Sequence, residues 1–233
     1  MTTLQAILTG IDWAANINTS LGSGTTVAKI DQAAHRIAVW SLQLEQADTD
    51  NPALCFVREM QQSIQHSGAL IGLCLYKPSA ASSRTLVESC VYYTYFRTHH
   101  EELATLVVNP KYYVSKNEII EYHSLHTTSF KSRQVTLNLI ARLQGWYSRT
   151  SSIVHGQIPG AWNTHADLAQ TCYSKEVQDL ALSTLLDGVS IVNDLLLCTV
   201  AKQLWKSFAP DAKKFLTKGM AAATRQALNL DSR

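Results

Sequence analysis

Apolar residues recur along this chain every three to four positions, which is the period of an α-helix with one buried face. No convincing run alternates apolar and polar residues as a half-buried β-strand would. The predicted helices cover residues 4–15, 27–44, 51–77, 79–106, about ten residues after Ser115, 129–155, 174–208 and 209–230. The pattern therefore predicts an all-α, up-and-down bundle of long helices with additional N- and C-terminal helices.

Polar residues and prolines mark the ends of several of these helices. Ser115 with Glu118 three positions later is a capping-box pattern, typical of a helix start. Pro78 is expected to break or kink the chain between the third and fourth predicted helices. The longest irregular stretch begins at Gly156 and contains Pro159. These signals separate helices without indicating a second domain, so we expect one all-helical domain over residues 1–233.

Composition limits the classes of partner that this chain can have. Of the 233 residues, 46% are hydrophobic, which is enough for one sizeable core. Only 16% are charged, a low fraction that favours a buried partner interface, although a large core would have the same effect. The net charge of +2 excludes a general basic field, so RNA binding would need a local basic patch.

The sequence also indicates where the protein resides. Five cysteines form no C-x-x-C pair and lie mostly in apolar stretches, as small buried thiols do in a reducing compartment. The N-terminal segment lacks the basic start and apolar run of a signal peptide. No stretch reaches about 18 uninterrupted apolar residues. We therefore expect a cytoplasmic protein that does not enter a membrane, with no metal or other cofactor.

The predicted helix over 129–155 ends in a crowded polar stretch that contains Arg149, Ser151, Ser152 and His155. On an ideal helix each residue advances about 100°, which places these side chains in one sector opposite a mostly apolar stripe. Arg149 and His155 flank the serines. The long arginine is therefore expected to converge with the imidazole on one anion.

An imidazole and a guanidinium on one anion have a specific chemistry. Imidazole exchanges protons near neutral pH, and guanidinium holds a phosphate through two hydrogen bonds. Together they suit cleavage of RNA by attack of a ribose 2′-hydroxyl on its own phosphate, without a metal. The spacing from Arg149 to His155 alone is weak evidence, because about one such pair is expected by chance in this composition. The alternative is a solvated helix end.

Two motifs surround these residues. The first is Y-x3-S-x2-V-H-G, formed by Tyr147, Ser151, Val154, His155 and Gly156. The second is an upstream R-x-L-x-E, formed by Arg84, Leu86 and Glu88. Both resemble motifs of one branch of the HEPN superfamily (higher eukaryotes and prokaryotes nucleotide-binding), all-helical domains with Arg-x(4–6)-His near the end of a long core helix. The resemblance covers roughly residues 51–205, so 1–50 is expected to be an N-terminal helical extension and 209–230 a C-terminal amphipathic helix.

The resemblance implies a metal-independent endoribonuclease whose active site forms between two copies of the chain, as in toxins and anti-phage defence proteins. It implies that His155 is the catalytic acid and base and that Arg149 is the catalytic clamp on the phosphate. The implied substrate-binding residues are Tyr147, Ser151, Ser152, Arg84 and Glu88. The expected partners are RNA, further copies of the chain in a homodimer or larger assembly, and another protein.

Two positions depart from the pattern of the superfamily. Thr150 follows Arg149 where the strongest nucleases carry Asn, Asp or His. Gln157 stands where toxins silenced by a nucleotidyltransferase carry Tyr. The alternative function is therefore a catalytically silent HEPN-like subunit that binds a protein or nucleic acid. For Arg84 and Glu88, four positions apart on one helix face, the alternative is an ion pair that fixes helix packing.

Three other clusters have structural interpretations that we favour over functional ones. His123 and His126, with Glu118, have a spacing that metal sites use, but no H-E-x-x-H motif accompanies them. Residues 91–96 are aromatic nearly all round their helix, which predicts core or dimer packing. The last predicted helices carry a modest basic cluster of Lys202, Lys206, Lys213, Lys214, Lys218 and Arg225. Such a cluster is usually a solvated face, and the alternative is a surface that binds an RNA backbone.

Overall fold

The structure is a computed structural model that describes residues 3–158, 160, 162 and 165–230. Over these residues the chain forms thirteen α-helices and two 3₁₀ turns without any strand, which confirms the predicted all-α bundle. The helices are α1 (Leu4–Gly10), α2 (Trp13–Leu21), α3 (Gly24–Ala47), α4 (Leu54–Gly72), α5 (Tyr76–Phe96), α6 (His100–Val108), α7 (Lys116–His126), α8 (Phe130–Thr136), α9 (Leu139–Val154), α10 (Lys175–Thr199), α11 (Ala201–Leu204), α12 (Pro210–Leu216) and α13 (Ala222–Ala227). The 3₁₀ turns are Leu168–Gln170 and Trp205–Ser207. Pro159, part of a predicted break, lies outside the described residues.

The centre of the bundle is the pair of helices α5 and α10, which pack against each other. α4 and α9 pack on α5, and α3 packs on both α4 and α10. One apolar core joins these helices and includes Trp40 of α3, Leu86 of α5 and Leu195 of α10, all fully buried. The predicted N-terminal extension therefore contributes large side chains to the same core as the helices of 51–205.

α10 is the one helix among the described residues whose length and composition would allow it to cross a membrane. However, 72% of its most apolar window is buried inside the bundle. Leu195, Leu196 and Leu197 are consecutive and all fully buried, so protein surrounds this part of the helix on every side. α10 is therefore a core helix, which is compatible with a soluble protein.

The break between the third and fourth predicted helices lies earlier than expected. α4 ends at Gly72, and the chain turns at Cys74, whose backbone is left-handed (φ 59°). α5 then begins at Tyr76, and Pro78 lies in its first turn. Backbone N–H groups in a first turn have no partner within the helix, so proline costs no hydrogen bond there. The prediction that Pro78 breaks the chain is wrong.

Five predicted helices are each divided into two or more elements. The boundary of α1 and α2 lies in residues 4–15, that of α5 and α6 in 79–106, that of α8 and α9 in 129–155, and that of α12 and α13 in 209–230. The predicted helix 174–208 is divided into α10, α11 and the second 3₁₀ turn. The clearest boundary is Asn138, which is left-handed (φ 49°) between α8 and α9. Asparagine tolerates this conformation better than most residues. The helix that carries the polar stretch is therefore α9, only 16 residues long.

Candidate functional site

The two sequence motifs meet where α9 packs on α5. His155 is the exposed C-cap residue of α9, and its Nε2 lies 2.9 Å from Nη1 of Arg84 on α5. The hydroxyl of Tyr147, two turns earlier on α9, lies 2.7 Å from Nη2 of the same guanidinium. The fold thus brings together the histidine of the first motif and the arginine of the second, which are 71 positions apart.

Arg84 has three partners, one for each of its nitrogens. Nη1 contacts His155 and Nη2 donates to Tyr147, while Nε donates to Glu88 Oε1 at 2.9 Å. The Tyr147 hydroxyl donates in turn to the same Glu88 oxygen at 2.6 Å. We refer to Arg84, Glu88, Tyr147 and His155 as the Arg84 cluster. Because the donors of a guanidinium are fixed in one plane, three contacts hold the side chain in one orientation.

The contact with Arg84 identifies the basic nitrogen of His155. A guanidinium only donates hydrogen bonds, so Nε2 of His155 accepts one and carries no proton in this arrangement. The imidazole is then neutral, with its proton on Nδ1. Nε2 therefore becomes available to take a proton when another acceptor, such as a phosphate oxygen, takes the Nη1 hydrogen bond of Arg84.

Burial and charge also determine the protonation of Arg84 and Tyr147. Burial disfavours the charged form of Arg84, but the hydrogen bond and charge of Glu88 outweigh it and raise the pKa of Arg84. Burial raises the pKa of Tyr147, and the hydrogen bond and charge of Glu88 raise it further. At neutral pH, Arg84 is therefore a permanent cation and Tyr147 a hydroxyl donor.

Arg149 lies on a different side of α9. Its Nη2 is 3.2 Å from Oδ2 of Asp187 on α10, and the two side chains are 53% and 59% exposed. Six positions advance a helix by about 600°, which leaves Arg149 and His155 roughly 120° apart around α9. Within one chain the expected convergence of Arg149 with His155 does not occur, and Arg84 is the cation beside the imidazole.

Hydroxyl groups at the end of α9 turn mostly onto their own helix. Ser152 Oγ donates to the carbonyl of Ser148 at 3.0 Å, and the fully buried Thr150 donates to the carbonyl of Trp146 at 2.8 Å. Ser151 Oγ is buried and has no hydrogen-bond partner among the residues that the structure describes. Ser151 and Ser152 are thus not joined to the Arg84 cluster, and Thr150 directs no polar group outwards.

A cavity of about 680 Å³ opens beside the Arg84 cluster, between α5, α7, α9 and the loop 109–115. Arg84, Glu88 and Tyr147 form part of its wall, and Tyr113 and Lys116 form another part. The ammonium of Lys116 lies 5.0 Å from the centre of the Tyr147 ring, and the guanidinium carbon of Arg84 lies 4.7 Å from it. The cavity therefore adjoins two cations and an aromatic ring.

Lys116 reaches the cavity as the first residue of α7. The predicted capping box fixes this helix start: Ser115 Oγ accepts from the Glu118 N–H at 3.2 Å, and the Glu118 carboxylate accepts from the Ser115 N–H at 2.7 Å. Lys116 did not emerge as a site residue from the sequence. The capping box locates the end of α7, but no pattern in the sequence places that end against α9.

The other candidate clusters have structural roles. His123 is buried, with Nδ1 2.7 Å from Thr127 Oγ1 and Nε2 3.0 Å from Thr94 Oγ1. Within the described part of the chain, no group of three His, Cys, Asp or Glu side chains is placed to hold a metal. Four of the residues 91–96 are buried, which confirms their predicted core packing. All five cysteines are free thiols, and three are buried.

The predicted basic cluster is divided between separate surfaces. Lys213, Lys214, Lys218 and Arg225 border a recess of about 480 Å³ at α12 and α13. Lys202 borders a different recess. Neither recess shares a lining residue with the cavity beside the Arg84 cluster. This basic surface is therefore not part of the site.

The Arg84 cluster and the adjoining cavity form one continuous site at the end of α9. No protein-family model, curated protein or solved structure matches the chain. The chemistry of the site is therefore inferred from its own geometry. A basic imidazole nitrogen lies against an oriented guanidinium, next to a space large enough for a small ligand.

Proposed function

We propose that this chain is a HEPN-like, metal-independent endoribonuclease in which His155 moves protons and Arg84 binds the phosphate. The observation that carries the proposal is the 2.9 Å contact between His155 Nε2 and the Arg84 guanidinium. An acid–base group and an oriented cation acting on one anion are what phosphodiester cleavage needs. Lys77 adds positive charge nearby, since its Nζ lies 3.7 Å from where a Cβ would be at Gly156.

The proposed reaction begins when a phosphate of RNA takes the Nη1 hydrogen bond of Arg84 and frees Nε2 of His155. Nε2 removes the proton of the ribose 2′-hydroxyl, and the resulting oxyanion attacks the adjacent phosphorus. Arg84 stabilises the charge that develops on the phosphorane. The bond between phosphorus and the 5′-oxygen breaks, and the imidazolium returns its proton to that oxygen. The products are a 2′,3′-cyclic phosphate and a 5′-hydroxyl.

The remaining site residues support these two groups in the proposal. Glu88 and Tyr147 are positioning residues, because they fix the orientation of Arg84. Arg149 acts as a second clamp on the phosphate when another copy of the chain brings it to the site, as the HEPN resemblance implies. Its side chain is more than half exposed and is accessible to such a copy.

We also propose a cytoplasmic homodimer that acts as a toxin or as part of anti-phage defence. The cytoplasm contains the RNA substrate, and the most apolar helix is mostly buried within the bundle. Val107 and Val108, each 78% exposed, provide an apolar surface that a second copy or another protein can cover.

The test of the proposed function is cleavage of end-labelled RNA by the purified protein. We expect the wild type to release fragments that end in a 2′,3′-cyclic phosphate, and His155→Ala to be slower by at least roughly 100-fold. His126→Ala is the matched control, since His126 is exposed at the opposite end of α7 from the cavity. Circular dichroism checks that each variant is folded. Intact RNA with folded wild-type protein and its partners would exclude the nuclease.

A catalytically silent HEPN-like subunit is the second candidate function. Two observations favour it: the Thr150 hydroxyl is bonded within α9, and Arg149 is paired with Asp187. In this case RNA stays intact, and His155→Ala leaves the assembly unchanged. The double variant Val107→Lys, Val108→Lys should instead lower the mass of the assembly measured by light scattering.

A further inference from the structure

The cavity beside the Arg84 cluster contains groups that the proposed reaction does not use. Val87 and Val91 of α5 and Tyr113 of the loop 109–115 give it apolar and aromatic walls. Lys116 of α7 and Gln144 of α9 add polar groups to the same space. Its volume of about 680 Å³ lies in the range of pockets that hold small ligands, about 300–1,000 Å³.

These walls match the base and the phosphate of a nucleotide. A tyrosine ring and valine side chains suit the flat, apolar face of a base. The amide of Gln144 has no hydrogen-bond partner among the residues described, and it offers both a donor and an acceptor to the edge of a base. Lys116 and Arg84 provide positive charge for a phosphate.

Lys116 is the strongest indication of an anionic ligand. Its side chain is half-buried, and its ammonium donates to Asn117 Oδ1 at 3.0 Å, a neutral acceptor. Over the described ranges no acidic side chain forms an ion pair with Lys116. Burial lowers the pKa of Lys116, because the lost hydration of its charge is not compensated by a carboxylate. An anion in the cavity would supply that compensation.

We infer that this cavity binds one nucleotide of the RNA, with its base against Tyr113 and Gln144 and its phosphate on Lys116 and Arg84. The inference rests on the proposed function and names the part of the substrate that the chain recognises. Arg84 both lines the cavity and contacts His155, so a phosphate held there lies next to the group that moves the proton. The base in the cavity then selects which phosphodiester bond is cut.

Binding of nucleoside 3′-monophosphates to the folded His155→Ala protein tests the cavity without any cleavage. We expect isothermal titration calorimetry to show that at least one of the four common nucleotides binds roughly tenfold more tightly than inorganic phosphate, because stacking adds affinity. Tyr113→Ala should remove most of that difference. The Tyr113 side chain is 68% exposed, so its loss leaves the fold intact.

The variant Lys116→Ala tests whether positive charge in the cavity contributes to nucleotide binding, and Lys111→Ala is its matched control. Lys116→Ala should weaken nucleotide binding by roughly tenfold or more, because a charge-assisted hydrogen bond to the phosphate is lost. Lys111 is an exposed lysine of the loop 109–115, and its side chain does not line the cavity. Lys111→Ala should therefore change nucleotide binding by less than about twofold.

Each outcome decides the inference separately from the nuclease. Failure of all four nucleotides to bind, or equal losses in Lys116→Ala and Lys111→Ala, would overturn the cavity assignment whatever the result of the cleavage assay. An oligoribonucleotide that displaces the bound nucleotide supports a site for RNA. Nucleotide binding without such displacement assigns the cavity to a free nucleotide and overturns the inference. Displacement together with intact RNA in the cleavage assay supports the site and rejects only the nuclease.

Discussion

Arg84 and His155 are 71 positions apart in the sequence and 2.9 Å apart in the fold, and their contact joins α5 to the end of α9. The other two nitrogens of Arg84 are occupied by Glu88 and Tyr147. A lysine at this position would keep the charge but would offer a single nitrogen, which cannot serve three partners in one plane. The geometry of the site therefore depends on a guanidinium.

The first prediction concerns this dependence. Arg84→Lys should lower the single-turnover rate of RNA cleavage by roughly 100-fold, because the oriented cation beside His155 is lost. Arg149→Lys makes the same change at an exposed ion pair and should lower the rate less. A larger loss in Arg149→Lys would mean that the phosphate is held chiefly by Arg149 of a second copy.

The second prediction concerns the hydroxyl of Tyr147, which accepts from Arg84 and donates to Glu88. Tyr147→Phe keeps the ring and removes both hydrogen bonds, so we expect the free energy of unfolding to fall by about 1–2 kcal/mol. Urea denaturation followed by circular dichroism measures the change. Tyr113→Phe is the control, since Tyr113 is exposed and its hydroxyl has no partner among the described residues. Equal stability of both variants would contradict a structural role for the cluster.

Local features of the site could be predicted from the sequence, because they depend on residues three or four positions apart. The capping box of Ser115 and Glu118 and the shared face of Arg84 and Glu88 are of this kind. The contact of Arg84 with His155 is of another kind. It depends on how α5 packs against α9, which no short pattern in either helix specifies.

Some helix boundaries likewise could not be predicted from local sequence patterns. Apolar spacing continues across Cys74 and Asn138, so periodicity alone gives no reason to end a helix there. Both residues have a left-handed backbone conformation. A cysteine rarely adopts this conformation, so the sequence gives no signal for the helix end at Cys74. Pro78 is a strong signal for a break, yet a proline three residues into a helix is harmless.

The third prediction concerns a buried ion pair outside the site. Asp48 accepts hydrogen bonds from Tyr93 at 2.9 Å and from Arg97 Nε at 3.2 Å, and the side chains of Arg97 and Asp48 are only 9% and 14% exposed. Asp48→Ala would leave the buried guanidinium without its counter-charge. We expect the free energy of unfolding to fall by about 3 kcal/mol, measured in urea.

The control for this prediction is the surface pair of Arg58 and Glu45, in which the arginine side chain is 66% exposed. Water and salt screen such a pair, so Glu45→Ala should leave the free energy of unfolding almost unchanged. A similar loss in Asp48→Ala and Glu45→Ala would mean that burial does not distinguish the two ion pairs.

The fourth prediction concerns acid and the buried His123. Its two ring nitrogens contact the hydroxyls of Thr127 and Thr94, neither of which carries a charge. Burial, with the charge of His99 as a smaller cause, lowers the pKa of His123 from 6.5 to about 4. Between these values the unfolded chain binds a proton at His123 that the folded chain does not bind.

The contribution of His123 to the free energy of unfolding is therefore fully present above pH 6.5 and decreases as the pH falls towards about 4. The decrease from this group is about 1.4 kcal/mol per pH unit, or about 3 kcal/mol over the whole interval. His123→Gln does not titrate, so its free energy of unfolding should be lower at neutral pH but should fall less steeply with acid. The difference in the free energy of unfolding between the wild type and His123→Gln therefore becomes smaller as the pH falls.

Urea titrations at several pH values between about 7 and about 4.5 measure this narrowing. His66→Gln removes an exposed histidine from α4 and should follow the slope of the wild type. Carboxylates begin to titrate at the acid end of the interval, but they contribute equally to all three proteins and cancel in the differences. Parallel curves for the wild type and His123→Gln would mean that folded His123 accepts a proton as readily as the unfolded chain does. The imidazole would then have to reach water when charged, which its 3% exposure in the native packing does not allow.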